Sequence, residues 1–215
     1  LFTANGQCAT IPVHQIPQVQ AADEGVAFNS LCTLPAQTEV TAVLSLPGSA
    51  EAGFVLFVTA GGEVKRLRLE DLPGMTANTF TVMDVEKEDR LGWVLPTSGE
   101  DEIILVTAQA QAIRFSETDV RPTTLPAGGM RGVKLAGQRD RVVGAMVAVA
   151  NQHVWTITDD GVAKSSPVAD YPLQGRAGSG VIAMRLPKGS LEIAAAAIGR
   201  LDDNLVVLTD RNKPL

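Results

Sequence analysis

The sequence predicts an all-β, propeller-like disc of about four four-stranded blades plus a partial one, and three observations carry that prediction. The first is a repeated pattern. An apolar run reaches a threonine, a polar turn follows, a second strand-like run alternates, and a short polar stretch ends in an apolar residue before proline. FVLFVTAGGEVKRLRLEDLP (54–73) writes it out, and IILVTAQAQAIRFSETDVRP, HVWTITDDGVAKSSPVADYP and LFTANGQCATIPVHQIP repeat it. The marker threonines Thr3, Thr59, Thr107 and Thr158 follow one another at 56, 48 and 51 residues, and Thr209 opens a broken copy, NLVVLTDRNKPL, 51 further on. Self-similarity at about 50 residues belongs to propellers and arrays. The second observation is segment length: runs of five to ten residues rich in Val, Ile and Leu, bounded by Gly, Pro, Asp and Asn, read as strands. The third is turn chemistry. AGG (60–62), DDG (159–161) and ANG (4–6) supply the positive φ that tight hairpins need.

Taken in order, the units run about 1–53, 54–102, 103–152, 153–203 and a partial 204–215. Unit one offers GQCATI, VAFNSL (26–31) and EVTAVLSL (39–46). Unit two gives FVLFVT (54–59), EVKRLRL (63–69), FTVMDV (80–85) and RLGWVL (90–95). Unit three gives IILVT, QAIRF, RGVKL (131–135) and DRVVGAMVAV (140–149), and unit four HVWTIT, VAKSS, VIAMRL (181–186) and LEIAAAAI (191–198). No 3.6-period stretch exceeds about 10 residues, so long helices are not expected. The stretches ending in proline are expected to make one helical turn and stop.

Composition narrows the classes. Hydrophobic residues make up 45% of 215 while aromatics are 4%, so the core must be built of Val, Leu, Ile and Ala. One repeat domain is expected, because no unit has a core without its neighbours. No apolar stretch reaches the roughly 18 residues of a membrane span. Cys8 and Cys32 show no metal or disulfide spacing, which points to a reduced compartment. The net charge of −6 hides an asymmetry: residues 1–102 carry −9, residues 103–200 carry +4, and no Lys or Arg precedes Lys65.

Two long stretches, 97–135 and 162–186, closely resemble the C-terminal domain of the DNA gyrase A subunit, and 13–35 resembles its preceding repeat more weakly. IRFSETDVRP, MRGVKL and ADYPLQGRAGSGVIAMRL carry the likeness. The resemblance, shared with the corresponding topoisomerase IV subunit, implies a β-pinwheel whose blades exchange strands and whose basic rim wraps duplex DNA to support supercoiling. It implies a non-catalytic chain without cofactor or metal, part of a bacterial ATP-dependent type II topoisomerase whose catalytic tyrosine lies elsewhere. The partners implied are duplex DNA, the ATPase (B-type) subunit, plus the catalytic region of the same polypeptide, in the cytoplasm at the nucleoid and with no membrane. The family's diagnostic motif, Gln-Arg-Arg-Gly-Gly-Lys-Gly, is echoed by Gln174, Gly175, Arg176, Ala177, Gly178, Ser179 and Gly180, with one base in place of three. The echo matches a penultimate connector, so the chain is expected to be an internal portion of a larger pinwheel.

Gly-rich connectors let backbone N–H groups approach phosphates, and a nearby base adds charge. Arg121, Arg131, Lys134, Arg176 and Arg185 lie in or just after such connectors. Lys65, Arg66, Arg68, Arg114 and Lys164 fall in the second strand of their units. In isolation, KRLRL reads as a plain surface strand and the glycines as turn geometry; the resemblance makes Arg66, Arg68, Arg114, Arg121, Arg131, Lys134, Lys164, Arg176 and Arg185 the expected DNA contacts. Asp23 and Glu24 argue against contact in unit one. Tyr171, in register with Ile16, Leu72 and Val120, is expected to be a packed anchor and not a nucleophile. AGGMRG lacks the GK[ST] ending of a P-loop. The alternative is a protein-interaction propeller of the RCC-type class without DNA binding, whose glycine and cysteine pattern is absent.

Overall fold

The computed structural model describes residues 1–46, 53–74 and 78–207, so the broken copy at Thr209 lies outside the described residues. Each hairpin forms where the repeat predicts it. The strands in chain order are β1 (Phe2–Thr3), β2 (Gln7–Cys8), β3 (Val40–Ala42), β4 (Phe54–Thr59), β5 (Glu63–Arg68), β6 (Phe80–Thr81), β7 (Leu91–Thr97), β8 (Glu102–Thr107), β9 (Gln111–Ser116), β10 (Met130–Arg131), β11 (Val142–Val147), β12 (His153–Thr158), β13 (Ala163–Pro167), β14 (Val181–Ile182) and β15 (Ile193–Gly199). They form antiparallel sheets in the orders β3-β1-β2-β6, β10-β5-β4-β7, β11-β8-β9-β14 and β13-β12-β15.

The orders show an exchange. Each third strand leaves its own unit and pairs with the second strand of the unit before: Cys8 faces Phe80, Val64 faces Met130, and Ala112 faces Val181. The fourth strands β3, β7, β11 and β15 pack successively side by side. They therefore form the inner edge of the array, and the exchanged strands form the rim. The larger hydrophobic clusters lie between sheets. One joins Leu56, Val58 and Val64 to Ile103, Leu105, Ile113 and Phe115, and another joins Ile104 and Val106 to Val154, Val168 and Ile193. These cores form between neighbouring units, as a repeat array requires, while a small cluster of Ala9, Cys32 and Leu34 lies within unit one.

Several expected strands are corrected. FTVMDV and VIAMRL pair for two residues only and RGVKL for one, its strand being Met130–Arg131, after which Val82 and Met83, Val133, and Ala183 and Met184 turn into the core. VAFNSL is no strand, since Phe28–Ser30 is a 3-10 turn. The proline-ended stretches are single 3-10 turns at Val13–Gln15, Leu69–Asp71, Glu117–Asp119 and Val168–Asp170. Among the described residues no helix is long and apolar enough to cross a membrane.

At the hairpin tips, Gly6, Gly62 and Gly161 have φ of +77°, +84° and +90°, and Ala110 holds the equivalent place at +61°. In the first three units the tip residue's carbonyl accepts N–H groups from the exchanged chain: Val82 on Gly6, Gly132 on Gly62, Ala183 on Ala110. Hairpin geometry and strand exchange thus meet at one residue.

Candidate nucleic-acid interface

The predicted basic residues divide into two groups. Arg66 is a correction to the expected DNA contacts: it is 6% exposed, its guanidinium carbon lies 4.5 Å from the centre of the Phe54 ring, and its Nη1 donates to the Gly99 carbonyl at 3.2 Å and reaches Glu117 Oε2 at 3.4 Å. Glu117 is fully buried, and also accepts from the Gly99 N–H (2.7 Å), the Asp101 N–H (2.8 Å) and the Thr97 hydroxyl (2.8 Å). A buried charge persists only when paired and hydrogen-bonded in this way. The alternating charges of KRLRL mimic a solvated strand; the acid that draws Arg66 inward lies about 50 residues away, invisible to a local pattern.

Arg114 is half-buried and occupied. It ion-pairs with Glu102, and its Nη1 donates to the carbonyls of Val168 (3.2 Å) and Tyr171 (3.1 Å). Lys164 is exposed and donates to the Ala183 carbonyl at 2.9 Å. Its counterpart Lys65 is 1% exposed, with Nζ donating to the carbonyls of Val82 (2.6 Å), Thr124 (3.0 Å) and Ala127 (2.8 Å). Burial pushes the Lys65 ammonium down to about 8. Arg68 is exposed beside Glu70 at 3.9 Å.

The second group stands at the rim. Arg121, Arg131, Lys134 and Arg185 are exposed, and no hydrogen bond or ion pair holds their side chains among the described residues. Arg131 lies on β10 itself. Lys134 and Arg185 occupy equivalent places, each four residues beyond the start of its exchanged strand; the same place in unit two is Asp84, also exposed. Arg139 and Lys188, which no motif singles out, are exposed in the loops that follow; their signal is the basic excess of residues 103–200.

Arg176 serves the connectors. Its Nε donates to the Asp119 carbonyl at 3.0 Å and its Nη1 to the Arg131 carbonyl at 2.9 Å. The Gln174–Gly180 loop is stitched to its neighbours by Gln174 N–H to the Arg114 carbonyl (2.8 Å), Ala177 N–H to the Gly132 carbonyl (2.7 Å) and Lys134 N–H to the Gly178 carbonyl (2.9 Å). Gly180, at φ +72°, lies against the Ala112 carbonyl, and a Cβ there would overlap that oxygen. Part of the glycine pattern therefore serves close backbone packing. Gly175 and Ser179 remain exposed. Tyr171 is 2% exposed in the core between units three and four, as expected of an anchor.

Residues 53–98, 101–148 and 152–198 match the family described as DNA gyrase C-terminal domain, beta-propeller. The DNA gyrase A protein of Dehalogenimonas lykanthroporepellens is 31% identical over 210 residues, covering 97% of this chain and 26% of that protein. The gyrase A protein of Escherichia coli is 30% identical over 211 residues, covering 97% and 24%. The chain thus spans about a quarter of the length of the curated relatives it matches. Among solved structures, the C-terminal domain of DNA topoisomerase IV superposes with a TM-score of 0.90 at 23% identity, over all of this chain and 67% of that one. The DNA gyrase A C-terminal domain superposes with 0.70 at 15% identity, over 91% and 63%.

Proposed function

The chain belongs to the DNA gyrase C-terminal domain family of β-propellers, and from that premise we propose that it is a non-catalytic module that binds and bends duplex DNA round its rim for a type II topoisomerase. The observation that carries this reading is the sign of one repeated position. The residue just beyond the exchanged strand is Asp84 in unit two, Lys134 in unit three and Arg185 in unit four, and all are exposed. Lys134 and Arg185 set exposed cations one blade interval apart on the rim, and Arg121 and Arg131 add two more in unit three. A backbone bent over such an arc is held by charge and read by deformability, without base contacts. The acidic connector of unit one, with Asp23 and Glu24 exposed, favours units three and four for the contacts. Supercoiling, and partnership with a catalytic region and an ATPase subunit, belong to the same proposal.

The test is a gel shift on linear duplex with the Arg121/Arg131/Lys134/Arg185 quadruple alanine chain. It is expected to lose most binding while its circular dichroism stays that of the unaltered chain. Unchanged binding by the folded variant refutes the assignment of this rim and favours a protein-interaction propeller.

A further inference from the structure

Two basic residues, Lys65 and Arg114, reach from their own unit to backbone carbonyls of the next. Lys65 sits on β5, yet two of its three acceptors, the carbonyls of Thr124 and Ala127, belong to the connector of the next unit. That connector lies between Arg121 and Arg131. An ammonium has three N–H groups, and the Val82 carbonyl takes the third. Among the described residues no ion pair holds Lys65, so the carbonyls themselves answer its charge. One unit further round, Arg114 on β9 does the same from the adjacent position of its strand. It grips Val168 and Tyr171 at the start of the connector that leads to the exposed Arg185, and its charge is answered by Glu102. Thr124 and Ala127 are exposed; Leu125 between them packs on the core, and the Lys65 ammonium adds a side-chain tie to the two exposed residues.

We infer that Lys65 and Arg114 are positioning residues for DNA: cations that reach across the strand exchange, clamp the carbonyls of the following connector, and hold the rim arginines where a bent phosphate backbone meets them. This rests on the DNA-binding reading. Its physical content is preorganisation, because a connector already ordered does not lose that freedom on binding. Releasing one connector is expected to weaken binding by roughly tenfold, the scale of one or two side chains ordered on association.

The test uses the 215-residue chain with Lys65→Met and, separately, Arg114→Leu, which keep length and apolar bulk and remove the donors. Affinity for a linear duplex is measured against salt, and amide hydrogen exchange is followed at 121–131 and 168–180. The expected result is binding roughly tenfold weaker, an unchanged log–log salt slope and faster exchange confined to the released connector. A slope lowered by about 0.9 makes the residue a direct phosphate contact and overturns the inference. So does unchanged exchange at the connector, or unchanged affinity in a folded variant. If Lys65→Met does not fold, the half-buried Arg114 decides alone. Should the unaltered chain not bind duplex at all, the DNA reading fails, and the exchange arm still shows whether the clamp orders the connector.

Discussion

Thr59, Thr107 and Thr158 each end the first strand of a hairpin, and Thr3 holds the same place in unit one. Every one is buried, and each hydroxyl accepts the N–H four residues on: Gln7 at 3.0 Å, Glu63 at 3.1 Å, Gln111 at 3.4 Å and Val162 at 2.9 Å. The hydroxyl replaces a ladder bond lost at the turn, which is why the repeat is marked by threonine and not valine. Thr59→Val, of equal size, leaves the Glu63 N–H unpaired and is expected to cost about 1–2 kcal/mol, read from the urea midpoint. Gly180→Ala drives a methyl into the Ala112 carbonyl and is expected to cost about 3 kcal/mol in the same assay. Lys65 gives a pH signature. Its folded ammonium, pushed down to about 8 from an ordinary 10.5, releases its proton before the unfolded chain does. The unfolded state then holds more protons between those values, and stability rises with pH there. Cys8, raised by burial to about 11 from 9.0, works the other way. The difference between the unaltered chain and Lys65→Met cancels that opposing effect. The unaltered chain is expected to gain on the variant between pH 8 and 10, and a flat difference contradicts the burial effect.

At the level of elements, the sheets are tied by what each unit lends the one before it. The hairpins β4–β5, β8–β9 and β12–β13 are legible in the sequence because apolar alternation and a marker threonine agree over a few residues, with a turn glycine in the first and third and Ala110 in its place in the second. The third strands are legible in place but not in length. Residues 80–85 look like a full strand because Val82 and Met83 are apolar, yet these two are apolar for the inter-sheet core and not for a ladder. The candidate site is legible in part, for a related reason. Arg121, Arg131, Lys134 and Arg185 stand exposed along the connectors whose glycines mark them. Arg66, Arg114 and Lys65 escape a local reading because Glu117, Val168 and Tyr171, and Thr124 and Ala127, their respective partners across the junction, lie in the following unit, and hydrogen bonds to carbonyls leave no mark on composition. The Arg66–Glu117 pair carries the clearest consequence. Glu117→Ala strands a buried guanidinium at the junction of units two and three and is expected to cost about 3–5 kcal/mol. Glu117→Gln, which keeps acceptors for the Gly99 and Asp101 N–H groups, is expected to cost less; equal losses in thermal unfolding contradict the charge account.

Over the whole molecule, the charge asymmetry follows the rim. Residues 1–102 carry −9 and residues 103–200 carry +4, and the place beyond the exchanged strand changes from Asp84 to Lys134 and Arg185 across that boundary. Asp84 is exposed, so its reversal leaves the core alone. Asp84→Lys is expected to extend the cationic arc by one unit, tightening duplex binding and steepening the salt slope by about 0.9. A variant with the affinity and slope of the unaltered chain places unit two outside the DNA path. The central claim, that free cations on the rim of units three and four hold duplex DNA, is tested most directly by titrating salt against binding of linear duplex to the unaltered 215-residue chain. Four phosphate contacts predict a log–log slope of roughly −3.6, and a slope near zero, or no binding at low salt, contradicts the claim.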